Sequence, residues 1–314
     1  LIYFGLKFYL HHTADLSSPF LPGTQFLFND SKHLLLQTKK GWYTFEYCEI
    51  KSDKVSARIS FQVKAKEANS PWRAPFGGFE FYRKLSKEQL EDFVIQIQQK
   101  LIQLGVSEIL IRNHPNLYNE VEAQLLNDSL SNLEFEFSED VGSIILVDEK
   151  PYYRKIKISE RQKLVKAEKL FEFEQVNRKQ LPTLYSFIAS CREERNQSLS
   201  MTLPALKKLV SAFSDRILFF KVGTKSEISA AAIVIRVSKT ILYTFYYAHT
   251  KTHNRISPVV FLISGIYDYA LKHKISMIDL GTSMINGHVN KSLLHFKTSI
   301  GGVVTKKQTF TKML

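Results

Sequence analysis

The sequence predicts an α/β protein built of two similar halves, and three observations carry that prediction. The first is the succession of elements over residues 217–310: three strands, a polar loop, a helix, a strand, a second helix and a last strand. The second is an internal match. Phe93, Val94, Ile97, Val106, Ser107 and Ile109 correspond to Leu262, Ile263, Ile266, Ile275, Ser276 and Ile278 at a constant offset of 169 residues. Each set is a helix leading into a short strand, a generic unit that gains weight from recurring in the same order. The third is size. A chain of 314 residues with 44% hydrophobic and 23% charged content is long enough for two ordinary domains and is globular in composition.

Taken in order, Pro19, Pro22 and Gly23 mark an early loop. His33–Gln37, Trp42–Ile50 and Val55–Val63 read as successive strands, separated by turns at Lys39-Lys40-Gly41 and at 51–54. A rigid aromatic loop, Ser70–Phe79, follows. Ser86 caps a helix to about Leu104, with acidic residues in its first turn and Gly105 just past its end, and Val106–Ile111 is the next strand. Tyr152–Ile158 crosses between the halves. Ser159–Leu170 reads as a helix whose cations, Arg161, Lys163, Lys166 and Lys169, wrap much of its surface. Phe171–Val176 is a strand. A helix runs from Leu181 to about Ser190–Arg195, and another has Pro204 in its first turn. Ile217–Val222, Ile228–Val237 and Ile241–Tyr247 are strands joined by short polar turns. The loop His249–Ile256 then leads into a helix over Pro258–Lys272.

The stretch from Ile275 is the most informative. Ile275–Leu280 is a short apolar strand containing one carboxylate, Asp279, which needs a partner if buried. Gly281 turns the chain into a polar loop. A helix from about Val289 to Ser299 bears the apolar stripe Leu293, Leu294, Phe296 and Ile300, with Lys297 at its edge. Gly301-Gly302 ends that helix, and the last strand begins at Val303. The run Asp279-x-Gly281-x-Ser283, Leu293-x-x-Phe296-Lys297, Ile300-Gly301-Gly302 resembles the C-terminal motif of the FemAB-like branch of the GNAT acyltransferase superfamily. Ser70-Pro71 followed by Phe76-Gly77-Gly78 resembles a segment found in the first half of the same proteins. The resemblance implies tandem GNAT domains, 1–150 and 151–314, each a mixed, mostly antiparallel sheet flanked by helices, with the acyl-donor site in the second.

Charge is distributed unevenly. Residues 1–150 hold 16 Lys+Arg against 20 Asp+Glu, whereas 151–314 hold 27 against 10, so the whole excess of +13 comes from the second half. That asymmetry points to an anionic partner: a phosphate-rich cofactor, a nucleic acid or an anionic membrane surface. Cys48 and Cys191 lie far apart, too few for a disulfide framework and without metal spacing. No metal is expected at His249 and His253, which lack a third ligand nearby. No apolar run is long enough to span a membrane. Residues 1–10 are apolar but broken by Lys7, with no cleavage site after them, which argues against a secretory leader. A cytoplasmic protein is expected.

Acyl transfer to an amine requires a proton acceptor and a donor to the tetrahedral oxyanion. The resemblance puts Lys297 beside the acyl carbonyl as that donor. Asp279 is then placed to accept a proton or orient Lys297. At the end of the fourth strand of the second half, Tyr247 can shuttle a proton and Tyr246 can line the donor channel. GNAT enzymes hold the pyrophosphate of acyl-CoA in a glycine-containing loop before the next helix. Here Thr252–Pro258 contains no glycine, leaving Arg255 and the helix N-terminus at Ser257-Pro258 to contact phosphate. FemAB-like relatives also lack that loop, and bridge-forming members take their acyl group from aminoacyl-tRNA. The expected co-substrate is therefore acetyl-CoA or another acyl-CoA, or an aminoacyl-tRNA. The acceptor is a small-molecule or cell-wall-precursor amine, contacted by Arg195 and Arg73. A rival reading from a different class is a non-catalytic module of this fold that binds nucleic acid or another polyanion through its basic half.

Overall fold

The computed structural model describes residues 6–13, 23–51 and 54–314. The expected loop at Pro19 and Pro22, the apolar opening before Leu6 and part of the turn at 51–54 lie outside these. In chain order the elements are β1 (Leu6–His12), α1 (Ser31–Gln37), β2 (Trp42–Glu49), β3 (Val55–Lys64), β4 (Glu67–Ser70), β5 (Glu80–Phe81), α2 (Lys87–Gln103), β6 (Glu108–Arg112), α3 (Glu120–Asn132) and β7 (Glu136–Leu146). They continue with α4 (Ile158–Leu170), β8 (Glu172–Val176), α5 (Leu181–Glu193), α6 (Leu203–Ala212), β9 (Ile217–Gly223), β10 (Ile228–Arg236), β11 (Ile241–His249) and α7 (Pro258–Lys272). The last are β12 (Met277–Thr282), β13 (Met284–Ile285), β14 (His288–Val289), α8 (Lys291–Ser299) and β15 (Val303–Met313).

The chain divides into two compact units, 1–140 with 305–314, and 141–304. In the first, strands run β1-β2-β3-β4-β6-β15, with β5 also paired to β3. The neighbours are antiparallel except β4 and β6, which are parallel from Glu67↔Glu108 to Ser70↔Ile111. One face of this sheet presents Phe45, Tyr47, Ile59 and Phe61 to α2, which buries Leu90, Phe93, Val94, Ile97 and Leu101 at helical spacing. The start of α2 is held by a reciprocal cap: Ser86 accepts the N–H of Gln89, and the Gln89 side chain accepts that of Ser86.

In the second unit the order is β7-β12-β11-β10-β9-β8. Here β11 and β12 form the parallel ladder and the other pairs are antiparallel. The core forms between the sheet and α7, whose residues Val259, Val260, Leu262, Ile263, Ile266, Tyr267 and Ala270 are all buried. The matched residues Phe93, Val94, Ile97, Val106 and Ile109 belong to the first core, and Leu262, Ile263, Ile266, Ile275 and Ile278 to the second. In both units the repeated helix feeds a strand that joins a parallel ladder. Each unit is thus a mixed, mostly antiparallel sheet flanked by helices.

Several segments differ from expectation, among them β1, β4 and β5, which the sequence left without an element. His33–Gln37 is helical, not extended: the Asp30 carboxylate caps it by accepting the Lys32 N–H at 2.9 Å, and Leu34 is buried against Trp42. The polar loop after Gly281 contains a hairpin, β13 with β14, turning at Asn286-Gly287, both at positive φ as a two-residue turn of the I′ type requires. Residues 120–146, given no element from sequence, hold α3 and β7.

Candidate active site

The site is built where the parallel ladder of the second unit stops. Strands β11 and β12 pair at Ile241↔Met277, Leu242↔Ile278 and Tyr243↔Asp279, and no further, although β11 continues to His249. The Thr244 hydroxyl donates to the Asp279 carbonyl at 2.9 Å and fixes the two strands at that point. Beyond it the pairing of β11 with β10 is irregular: Ile233 faces Tyr246 but Ile235 faces Tyr243, so β11 holds one extra residue there. On its other side β12 slips against β7 between Asp279 and Thr282. Backbone regularity is therefore lost on both sides of Asp279.

Lys297 reaches this point from α8. Only 2% of it is exposed, so the sequence expectation of a lysine at the edge of an apolar stripe becomes a buried one. Its ammonium donates to the carbonyls of Gly281 at 2.9 Å and Thr282 at 2.8 Å. An ammonium has three N–H bonds, and the third has no acceptor among the described residues. Burial pulls Lys297 down from 10.5 to about 8, against the pull of the neighbouring Asp279 carboxylate and with help from the Arg192 guanidinium. Asp279, also 2% exposed, accepts the Gly281 N–H at 2.6 Å, so it caps the turn that presents the carbonyls to Lys297.

Two tyrosines and an arginine complete the group. Burial pushes the Tyr247 phenol up to about 12, with Arg192 opposing and Asp279 adding to the shift. Tyr243 is raised further by burial and by Asp279. Both phenols remain protonated near neutrality and can pass a proton on without holding charge. Arg192, on the last turn of α5, acts on Lys297, Tyr243 and Tyr247 alike, while one of its own N–H groups goes to Gln197 Oε1 at 3.2 Å. Lys297, Asp279 and Tyr247 thus lie near enough for their charges to be felt by one another, and Arg192 and Tyr243, which carried no site signal in the sequence, act on the same groups. Arg192 directly follows Cys191 in the buried stripe Leu184, Ile188 and Cys191, and that adjacency was its one sequence signal.

The remaining candidates sit elsewhere. The Tyr246 hydroxyl accepts the Met201 N–H at 2.9 Å and bonds Ser200 Oγ at 2.7 Å, holding the α5–α6 connection to β11. Arg195 spends its guanidinium on the carbonyls of Cys191 at 2.7 Å and His249 at 3.1 Å. Arg73 lies in the first unit, 5.6 Å from the Trp72 ring centroid, and its backbone N–H goes to Gln37. At the start of α7 the Ser257 N–H is taken by the His253 carbonyl and that of Val260 by the Ser257 carbonyl, while Pro258 has none. Few backbone donors are left there for a phosphate. Arg255 is exposed on the loop before this helix.

In the first unit, Leu110 and Asp128 occupy the positions equivalent to Asp279 and Lys297 at the 169-residue offset, so that unit lacks the pair. No group of three metal-ligating side chains occurs among the described residues, and no helix among them is long and apolar enough to cross a membrane.

No family model and no curated protein matches the chain. Solved structures do. The crystal structure of FemX superposes with a TM-score of 0.70 at 14% identity, over 96% of this chain and 95% of that one. The C-terminal domain of a putative lysylphosphatidylglycerol synthetase from Agrobacterium fabrum gives 0.54 at 14% identity, over 82% and 81%. A tandem GNAT protein of the clavulanic acid biosynthesis pathway gives 0.51 at 8% identity, over 98% of each chain. The chain has a tandem GNAT fold and shares it with FemX.

Proposed function

We propose that the protein is an N-acyltransferase whose second unit moves an acyl or aminoacyl group from an activated ester or thioester to an amine. The observation that carries this reading is Lys297: a wholly buried ammonium with one N–H bond to spare, set beside a carboxylate where two parallel strands part. The fold shared with FemX and with a tandem GNAT protein supports the reaction class. In the proposed step the amine nitrogen bonds to the acyl carbon, and the charge that develops on the carbonyl oxygen is met by the third N–H of Lys297. The proton lost by the amine passes through the Tyr247 hydroxyl to Asp279. The C–S or C–O bond to the carrier then breaks, and the leaving sulfur or oxygen takes up the proton that Asp279 had accepted, which restores the carboxylate.

The donor's phosphates are held by side-chain charge, with Arg255 foremost, because the helix before them offers few free N–H groups. Isothermal titration with acetyl-CoA, longer acyl-CoAs and aminoacyl-tRNA is expected to show one donor class binding about tenfold more weakly to Arg255→Ala, as for a lost charge-assisted contact. Binding of none of them removes the donor assignment.

Lys297 must be charged to serve the oxyanion, so kcat/KM is expected to fall as the pH rises through about 8, where this lysine loses its proton. Arginine stays charged throughout that range. Lys297→Arg is thus expected to show a lower maximum without the descending limb, and an unchanged limb in that variant assigns it to another group.

A further inference from the structure

Helix α4 has two faces that can be read separately. Its inner stripe, Glu160, Leu164 and Ala167, is buried against the second unit. The opposite stripe, Ile158, Gln162, Val165 and Lys169 at i, i+4, i+7 and i+11, consists of exposed residues throughout. Two of its four members are large aliphatic residues: Ile158 is 71% exposed and Val165 51%. Tyr153, just before the helix, and Leu170, its last residue, are also about half in water. The basic residues of the same surface are Arg154, Lys157, Lys166 and Lys169, and none of these has an acidic partner among the described residues. Lys163, by contrast, is paired with Glu160 at 2.7 Å. The Phe171 ring meets that of His253, so the end of α4 adjoins the loop that carries Arg255.

The unit that bears this ridge also carries the protein's entire excess charge. Residues 141–304 hold 25 Lys+Arg against 12 Asp+Glu, while the first unit has 18 of each. A nucleic-acid backbone would satisfy the cations but has no use for Ile158 and Val165, which would stay in water. The headgroup layer of an anionic bilayer takes both, drawing lysines by its surface potential and aliphatic side chains into the acyl boundary. We infer that the outer face of α4, with Tyr153 and Lys157 before it, is a docking surface that holds the second unit on an anionic lipid membrane. This assignment uses none of the residues of the candidate active site, so it stands or falls separately from the proposed reaction.

The test is flotation of the full chain with vesicles of phosphatidylcholine alone and of phosphatidylcholine mixed with phosphatidylglycerol, at low and high salt. Binding is expected to need phosphatidylglycerol. It should weaken on the order of 100-fold in the triple variant Lys157→Gln, Lys166→Gln, Lys169→Gln, which removes three surface charges. The double variant Ile158→Asn, Val165→Asn keeps every charge and is expected to bind the same vesicles about tenfold more weakly, a deficit that high salt does not erase. All these side chains are exposed, so the melting temperature is expected to stay within a degree or two for each variant, and this checks the fold. Equal binding to both vesicle types overturns the inference. So does full binding by the double variant, or a gel shift with duplex RNA that is abolished by the lysine variant while vesicles are ignored.

Discussion

Lys297→Met is expected to abolish acyl transfer while leaving the protein folded. The loss in turnover should be on the order of 1000-fold, the scale for removing a donor aimed at an oxyanion. Stability moves little because two effects oppose each other. The fall of Lys297 from 10.5 to about 8 means that the folded state disfavours its charged form by about 3 kcal/mol. This cost is fully present below pH 8 and is relieved as the pH rises toward 10.5, since the unfolded chain holds the proton longer. Methionine removes that cost, but it leaves the Gly281 and Thr282 carbonyls without their donor, at about 1–3 kcal/mol for each buried group left unsatisfied. Thermal unfolding and steady-state kinetics on the same sample check both halves of the prediction. A variant that keeps its turnover takes Lys297 out of the chemistry, and one that fails to fold shows the lysine to be structural.

Gly302→Ala is expected to destabilise the protein by about 1–3 kcal/mol, the range for overpacking a filled site. A Cβ at this position would stand 2.7 Å from the Lys297 carbonyl and 2.9 Å from the Ser143 Cβ, so it presses on the last turn of α8 and on β7 at once. The neighbouring Gly301 has φ +92°, a left-handed conformation natural to glycine, and packs against Lys155. Gly302 lacks positive φ and is needed only for space. Because the residue it crowds is Lys297 itself, the loss of stability should come with a loss of turnover. Denaturant unfolding with unchanged slope, together with activity at low temperature, separates the two.

The elements that announced themselves in sequence carry both a signal at their ends and a period along their length. Helix α7 has Pro258 in its first turn and apolar residues at helical spacing, and it was found with the bounds the structure gives. Helix α2 was found through Ser86. What was missed lacks one of these signals. Helix α3 buries only Ala123, Leu126, Ser129 and Leu130, too sparse a stripe to stand out, and β7 opens on Glu136, Ser138, Glu139 and Asp140 before turning apolar. In His33–Gln37 a run of leucines favoured a strand, and the deciding group was Asp30, just outside the run. The Asn286-Gly287 turn was legible in principle, but its strands are two residues each and carry no period. At the site, Asp279 and Lys297 were found because one motif holds both. Arg192 and Tyr243 were not, because they come from α5 and β11, and only folding brings the charge of the one near Lys297 and the phenol of the other near Asp279.

The membership of residues 305–314 in the first unit has a consequence for biosynthesis. Strand β15 pairs with β6 from Thr309↔Arg112 to Met313↔Glu108 and places Phe310 in the first core. A ribosome makes 1–140 long before it makes that strand. Until then, the nascent first unit has an empty place in its core and β6 presents an unpaired edge. Its completion must wait for the whole of 141–304 to be translated, so the domain that is begun first cannot be finished first.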